Sequence, residues 1–229
     1  MPRRMASTPT SDFILASASP RRSELLALTG WSFTAAPASV DESPRPGETP
    51  EGLADRLARA KAQAAAGAAP NGSWVLGADT LVVDGGVVLG KPGDTPEALD
   101  MLNSLRGHTH HVITSLALID PVSGEVYSES CRSEVRMRDY STEEAHAFVG
   151  RGEAWDKAGG YAIQDSQFHP VDLQHLQDCF ANVVGLPLCH LVRAARRAGL
   201  KPPQDVPRAC QAHTDYRCPV YQDILEGRR

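Results

Sequence analysis

Three times in this 229-residue chain a hydroxyl residue followed by proline stands directly before apolar residues at helical spacing: Ser19-Pro20, Thr49-Pro50 and Thr95-Pro96. The hydroxyl can accept a free N–H of the first turn, and proline fits the first helical position, where its missing N–H costs nothing. Leu25, Leu26 and Leu28 follow the first pair, and Gly30 offers a stop. Leu53, Leu57, Ala60 and Ala64 supply an apolar stripe after the second; Ala98, Met101, Leu102 and Leu105 follow the third. Ser141 and Glu144 have the spacing of a capping box, and a last helix is expected from Leu188 to about Gly199. Between these helices lie short apolar runs that read as strands: Phe13–Ala16, Trp31–Ala35, Trp74–Leu76, Thr80–Val83, Val87–Leu89, His111–Ile119 and Glu125–Met137. Asp84-Gly85-Gly86 reads as a hairpin turn. Helix and strand signals that alternate in this way predict an α/β domain with a mixed sheet.

Composition agrees with one folded unit. Hydrophobic residues are 41% of the chain and charged residues 22%, ordinary values for a globular protein. Residues 1–11 lack a pattern and are expected to be a disordered leader. Residues 12–200 form the domain, and 201–229, with prolines and scattered charge, are expected to be an irregular tail. The net charge of −5 argues against a general nucleic-acid binder. No apolar run approaches the ~18 residues of a membrane span, and Phe13-Ile14-Leu15 is too short for the apolar part of a signal peptide. A cytoplasmic protein is expected, with its five widely spaced cysteines reduced.

Four segments could carry chemistry. Ser17-Ala18-Ser19-Pro20-Arg21-Arg22 joins a helix N-terminus to two guanidiniums, a combination suited to phosphate. Gly77-Ala78-Asp79-Thr80 places a carboxylate at an apparent strand end, where it could hold a divalent metal, orient water or cap a helix. Gly85-x4-Gly90-Lys91-Pro92 approaches a P-loop, but Pro92 replaces the metal-binding hydroxyl and Val87–Leu89 reads as a strand, so only Lys91 is retained as a point charge. Asp156-Lys157-Ala158-Gly159-Gly160 precedes an expected short strand ending at Gln164. His108, His110 and His111 match no standard zinc spacing; Cys210, His213 and Cys218 offer at most three soft ligands.

The order of these segments resembles the Maf family. The resemblance rests on Leu15-Ala16-Ser17-Ala18-Ser19-Pro20-Arg21-Arg22, Leu57-Ala58-x-x-Lys61-Ala62, Gly77-Ala78-Asp79-Thr80, Leu89-Gly90-Lys91-Pro92, Gly152 through Gln164, and Asn182-Val183-Val184-Gly185-Leu186-Pro187. It implies an elongated mixed sheet flanked by helices, with a central cleft, as in the inosine triphosphatases. It also implies a house-cleaning nucleoside triphosphate pyrophosphatase that uses a divalent metal (Mg²⁺, Mn²⁺ or Co²⁺), commonly a homodimer, with a family link to cell-division arrest. By position, Asp79 matches the catalytic proton acceptor, and Arg21, Thr80 and Gln164 match positions that set substrate choice. The form of the Gln164 motif resembles the dTTP/UTP branch. Ser19, Arg22, Lys61, Lys91 and Lys157 are then the expected phosphate ligands, and Glu42, Asp79 and Asp156 the expected metal ligands. The carboxamide of Gln164 can meet both the O4 acceptor and the N3–H donor of thymine or uracil. The same chemistry on another nucleotide, such as CTP or 7-methyl-GTP, and a non-catalytic nucleotide-binding regulator of division, are the alternatives. After Gln164 this chain has Asp165-Ser166-Gln167-Phe168-His169-Pro170 where the family usually has a glycine-rich stretch.

Overall fold

The computed structural model describes residues 13–70 and 72–229; the expected leader, 1–11, lies outside them. β1 (Phe13–Leu15) runs parallel to β2 (Phe33–Ala35) on one side and to β3 (Trp74–Asp84) on the other. β3 pairs antiparallel with β5 (Thr109–Ile119), and β5 with β6 (Val126–Arg136). The order is β2-β1-β3-β5-β6, and β4 (Val87–Leu89) folds back on β3. Gly85 and Gly86, at φ +54° and +88°, make that tight turn, because both central positions of a type I′ hairpin need positive φ.

The two edges of β3 are used differently. β5 covers one edge continuously, from Val75 to Val83. The other edge is shared: β1 takes Trp74–Leu76 and β4 takes Val82–Asp84. Between them a notch opens along residues 77–81. The expected break between two strands there is overturned, because β3 is one eleven-residue strand that passes through Gly77-Ala78-Asp79-Thr80. Asp79 is therefore mid-strand, not at a strand end. Gly77 makes no turn; it makes room. A β-carbon there would lie 2.2 Å from the Ala58 carbonyl oxygen and 2.6 Å from the Ala62 nitrogen of α2 (Pro50–Ala66), which crosses directly above.

The α2 stripe also differs from expectation. Leu53, Ala54, Leu57, Ala58, Lys61, Ala62 and Ala65 are buried, whereas Ala64 is exposed and Ala60 only partly covered. An alanine-rich helix has little contrast around its circumference, so pattern alone does not orient it. The close contact at Gly77 does, and it turns Lys61 inward.

Side chains alternate across the sheet. Ile14, Ala16, Val75, Leu81, Val83, Ile113, Ala117 and Ile119 meet α2. On the opposite face Phe13, Leu15, Trp74, Leu76, Ala78, Leu116 and Leu118 pack with α1 (Pro20–Ala27) and α6 (Leu188–Arg197). Farther along that face Val82, Val112 and Val135 pack with α3 (Thr95–Leu105) and α4 (Thr142–Gly150). α5 (Phe180–Val184) lies between these two cores.

The helix starts follow capping chemistry. Ser19, Thr49 and Ser141 accept first-turn N–H groups, and Ser141 with Glu144 closes the capping box. At α3 the cap is Asp94, one residue before the expected Thr95, because its carboxylate reaches the Glu97 N–H at 2.9 Å. No strand forms at Tyr161–Ile163. A short 3₁₀ turn, Ala158–Gly160, precedes them, and Tyr161 is anchored by its hydroxyl, 2.7 Å from His110 Nε2, rather than by a ladder.

Residues 201–229 are not irregular. They form α7 (Val206–Thr214), capped by Asp205, and α8 (Tyr221–Leu225). Val206, Val220 and Ile224 are buried in the core around α6, and Arg193 donates to the Ile224 carbonyl. α7 buries only Val206 and α8 only Ile224, so neither shows a legible apolar period; a few core contacts hold them, with a cap at α7 alone. Gly77→Ala is expected to lower stability by about 3 kcal/mol through overpacking against α2, read as a lower urea midpoint at unchanged slope.

Candidate active site

The notch in β3 opens into a cleft of about 500 Å³. β3 supplies Asp79 and Thr80, on opposite faces of the strand. α1 supplies Arg21 and Arg22 behind its cap, Ser19. α2 supplies Lys61, and the loop before it supplies Glu42. The residues after β4 bring Gly90 and Lys91. The 156–164 segment brings Asp156, Lys157, Tyr161 and Gln164, and the end of α5 brings Val183, Val184 and Gly185. All eleven residues expected to bind substrate or metal, or to act as proton acceptor, line this one cleft. Its rim and floor carry five Lys and Arg side chains against three carboxylates, although the whole chain has net charge −5.

Lys61 is the hinge of the acidic side. Its Nζ lies 2.6 Å from both Asp79 Oδ1 and Glu42 Oε1. Asp79 is only 6% exposed, and desolvation raises its pKa above the usual carboxylate value against the opposing pull of Lys61 and Arg22. Glu42 is far more open, and its hydrogen bond from Lys61 holds it below the usual value. The two carboxylates thus share one ammonium but differ in basicity, because they differ in solvation.

Arg22 is held differently. Its Nε donates to the Gly185 carbonyl at 2.9 Å, one terminal nitrogen to Ser17 Oγ at 3.2 Å, and the other to Thr80 Oγ1 at 3.0 Å. These acceptors are neutral. Desolvation lowers its pKa, with Asp79 acting the other way. A guanidinium fixed by neutral groups keeps its charge available to an anion.

A second ionic group closes the opposite rim. Arg21 donates to Asp156 Oδ2 at 2.7 Å and to the Asp156 carbonyl at 3.1 Å, while Lys157 donates to Asp156 Oδ1 at 2.7 Å. Burial works to raise the Asp156 pKa, but the hydrogen bonds from Lys157 and Arg21 outweigh it and hold it low. Lys157 also donates to the Glu153 carbonyl. The three carboxylates proposed for a metal therefore do not meet. Glu42 and Asp79 converge at Lys61, Asp156 stands with Arg21 and Lys157, and the described residues hold no group of three His, Cys, Asp or Glu placed around one point. The same finding removes Cys210, His213 and Cys218 as a metal set.

Gln164 is exposed at the cleft wall. The segment after it is anchored without glycines. Asp165 accepts from the Gln167 and Phe168 N–H groups and pairs with Arg151, and Phe168 packs between Tyr140 and Phe148. His110 is buried against Tyr161, and burial lowers its pKa to about 4, so this histidine is neutral at pH 7. Sequence reasoning did not single out Thr114, whose hydroxyl lies 3.0 Å from that of Thr80. Its signal was a threonine, next to Ser115, inside the otherwise apolar stretch 112–119, which becomes informative once the β3–β5 register sets it opposite Thr80.

These features define an α/β protein with a cationic cleft built around a buried lysine–carboxylate pair. The chain belongs to the Maf-like protein family, which it matches over residues 12–198. It is 44% identical over 189 residues to a dTTP/UTP pyrophosphatase of Citrifermentans bemidjiense, covering 82% of this chain and 96% of that one. It is 43% identical over 212 residues to a dTTP/UTP pyrophosphatase of Thermomicrobium roseum, covering 90% and 93%. Among solved structures, a dITP/XTP pyrophosphatase of Mycobacterium abscessus aligns with 88% of this chain and 92% of that chain, at TM-score 0.38 and 15% identity. No helix among the described residues is long and apolar enough to cross a membrane.

Lys61→Met leaves two carboxylates without their shared cation. It is expected to cost about 3 kcal/mol at pH 7. Asp79 would then have a folded pKa raised still further above its unfolded value. The deficit is therefore largest at neutral pH and shrinks as acid protonates Asp79. Urea melts of both proteins between pH 7 and 4.5 check this.

Proposed function

We propose that this protein hydrolyses dTTP and UTP to the nucleoside monophosphate and pyrophosphate. The observation that carries the reading is the cleft's local charge: five cations stand against three carboxylates around a space of about 500 Å³, one of the three being the buried Asp79 of raised pKa, in a protein of net charge −5. A triphosphate, with about four negative charges, is a ligand that such cations suit through charge-assisted hydrogen bonds. The curated relatives named dTTP/UTP pyrophosphatase support the choice of nucleotide.

In this reading Arg22, Lys91 and Lys157, with Ser19 at the α1 N-terminus, bind phosphate oxygens. Arg21 and Thr80 orient the nucleotide and help set its choice. Asp79 takes a proton from the water that attacks the α-phosphorus; its raised pKa makes it a stronger base than an exposed aspartate. Lys61 keeps Asp79 ionised, and the cations stabilise the departing pyrophosphate. Gln164 meets O4 and N3–H of the pyrimidine. A divalent metal fits the donor set at Glu42 and Asp79, since magnesium commonly takes one or two carboxylates and completes its shell with phosphate oxygens and water. When bound, it would neutralise phosphate charge and acidify a water. Asp156 stands apart from that pair, held by Arg21 and Lys157, and takes no part in this donor set. A homodimer is part of the same reading, and a cytoplasmic setting accords with five free cysteines.

A panel of nucleoside triphosphates with Mg²⁺, Mn²⁺ or Co²⁺ tests the activity. dTTP and UTP should be the best substrates and pyrophosphate the first product; orthophosphate released first would replace this reading with that of a phosphatase. Asp79→Asn should reduce turnover about 10²–10⁴-fold, with the fold retained by circular dichroism. Gln164→Glu should narrow the preference for dTTP over GTP, and an unchanged ratio would remove Gln164 as the base reader.

A further inference from the structure

Thr80 and Thr114 face each other across the β3–β5 register, on the seam between the two apolar cores. Their hydroxyl oxygens are 3.0 Å apart. Thr114 is fully buried, and its hydroxyl lies 3.1 Å from the backbone carbonyl of Asn182. The Asn182 side chain fixes that carbonyl's place by donating to the Val112 carbonyl and to Ser133 Oγ, each at 2.9 Å.

Proton counting gives these contacts a direction. A carbonyl can only accept, so Thr114 donates to Asn182 and spends its one hydroxyl proton there. Between the two threonines Thr114 must therefore accept and Thr80 donate. The Thr80 proton then points away from Arg22, and a lone pair is left for the guanidinium, which donates to it at 3.0 Å. The alternative acceptor for Thr80 is the Gly185 carbonyl at 3.4 Å, which already accepts from Arg22 Nε at 2.9 Å.

We propose that Thr114, which does not line the cleft, is a positioning residue for Arg22. A one-way chain runs from Arg22 through Thr80 and Thr114 to the Asn182 carbonyl, and it presets the guanidinium for the polyphosphate. Without the Thr114 oxygen nothing fixes the Thr80 hydroxyl rotor: its proton can turn toward the cleft or the Gly185 carbonyl, and the lone pair offered to the guanidinium is no longer held in place. The proposal rests on the pyrophosphatase reading for the identity of the anion; the chain of hydrogen bonds itself is independent of that reading.

Thr114→Val keeps the branched shape and removes the oxygen, whereas Thr114→Ser keeps the oxygen. Thr114→Val is expected to raise KM for dTTP about tenfold, the scale of one hydrogen bond to a charged partner, with kcat within about threefold. Thr114→Ser should stay within about twofold of the parent. In an Arg22→Lys background the same Thr114→Val change should have almost no further effect on KM, because the group it positions is gone. Calorimetry with inorganic tripolyphosphate should show the same pattern without turnover. Equal effects of Thr114→Val in both backgrounds, or a lower melting temperature at unchanged KM and unchanged tripolyphosphate affinity, would overturn the proposal. A parent protein that binds tripolyphosphate tightly but releases no pyrophosphate would remove the pyrophosphatase reading, while the calorimetric cycle would still decide the role of Thr114. A parent that binds no tripolyphosphate would overturn both.

Discussion

The contact between α2 and β3 at Gly77 governs the geometry of the cleft. No β-carbon fits between that residue and the Ala58 and Ala62 backbone, so the helix lies as close to the strand as backbone atoms allow. A close approach fixes rotation as well as distance. It puts Lys61 three residues beyond Ala58, on the buried side of α2, and Asp79 two residues beyond Gly77, on the same face of β3. Their 2.6 Å ion pair follows from one missing side chain. A buried pair of this kind is a poor source of stability, since desolvation offsets most of the attraction. Its effect is chemical: Lys61 opposes the desolvation that raises the Asp79 pKa.

A second constraint is the divided edge of β3. A strand paired along both edges has no backbone gap through which a ligand can approach. Here β1 ends and β4 begins with residues 77–81 between them. The strand's alternation then presents Asp79 to one side, toward Lys61 and Glu42, and Thr80 to the other, toward Arg22 and Thr114. One strand thus carries a carboxylate system and a guanidinium system on its two faces. In the first the cation is neutralised by its partners. In the second it is held by neutral oxygens and stays available to an anion.

Much of this was legible in the chain. Ser19, Thr49 and Ser141 cap helices as their sequence context predicts, because a cap is a local hydrogen bond. Asp84-Gly85-Gly86 makes its hairpin for the same local reason. The misreadings have a common cause. Gly77 looked like a strand break, yet its glycine answers to a helix 15 to 19 residues earlier in the chain. The α2 stripe was placed on Ala60 and Ala64, which alanine-rich sequence cannot distinguish from Ala58 and Ala62. The tail looked irregular because Val206, Val220 and Ile224 are too sparse to show a period, although each finds a place in the core around α6.

The sequence by itself determined the alternation of helix and strand, the family, and the set of polar residues gathered in the cleft. Those depend on local capping, turn chemistry and the order of motifs, which are written in neighbouring positions. Only the tertiary structure decided how that set divides: Lys61 with Glu42 and Asp79, Arg21 and Lys157 with Asp156, and Arg22 with Ser17, Thr80 and Gly185. It also brought Thr114 and Asn182 into the account. The physical reason is that solvation, ion pairing and the direction of a hydroxyl proton depend on what stands opposite in space, and strand register and helix rotation set that over long stretches of chain.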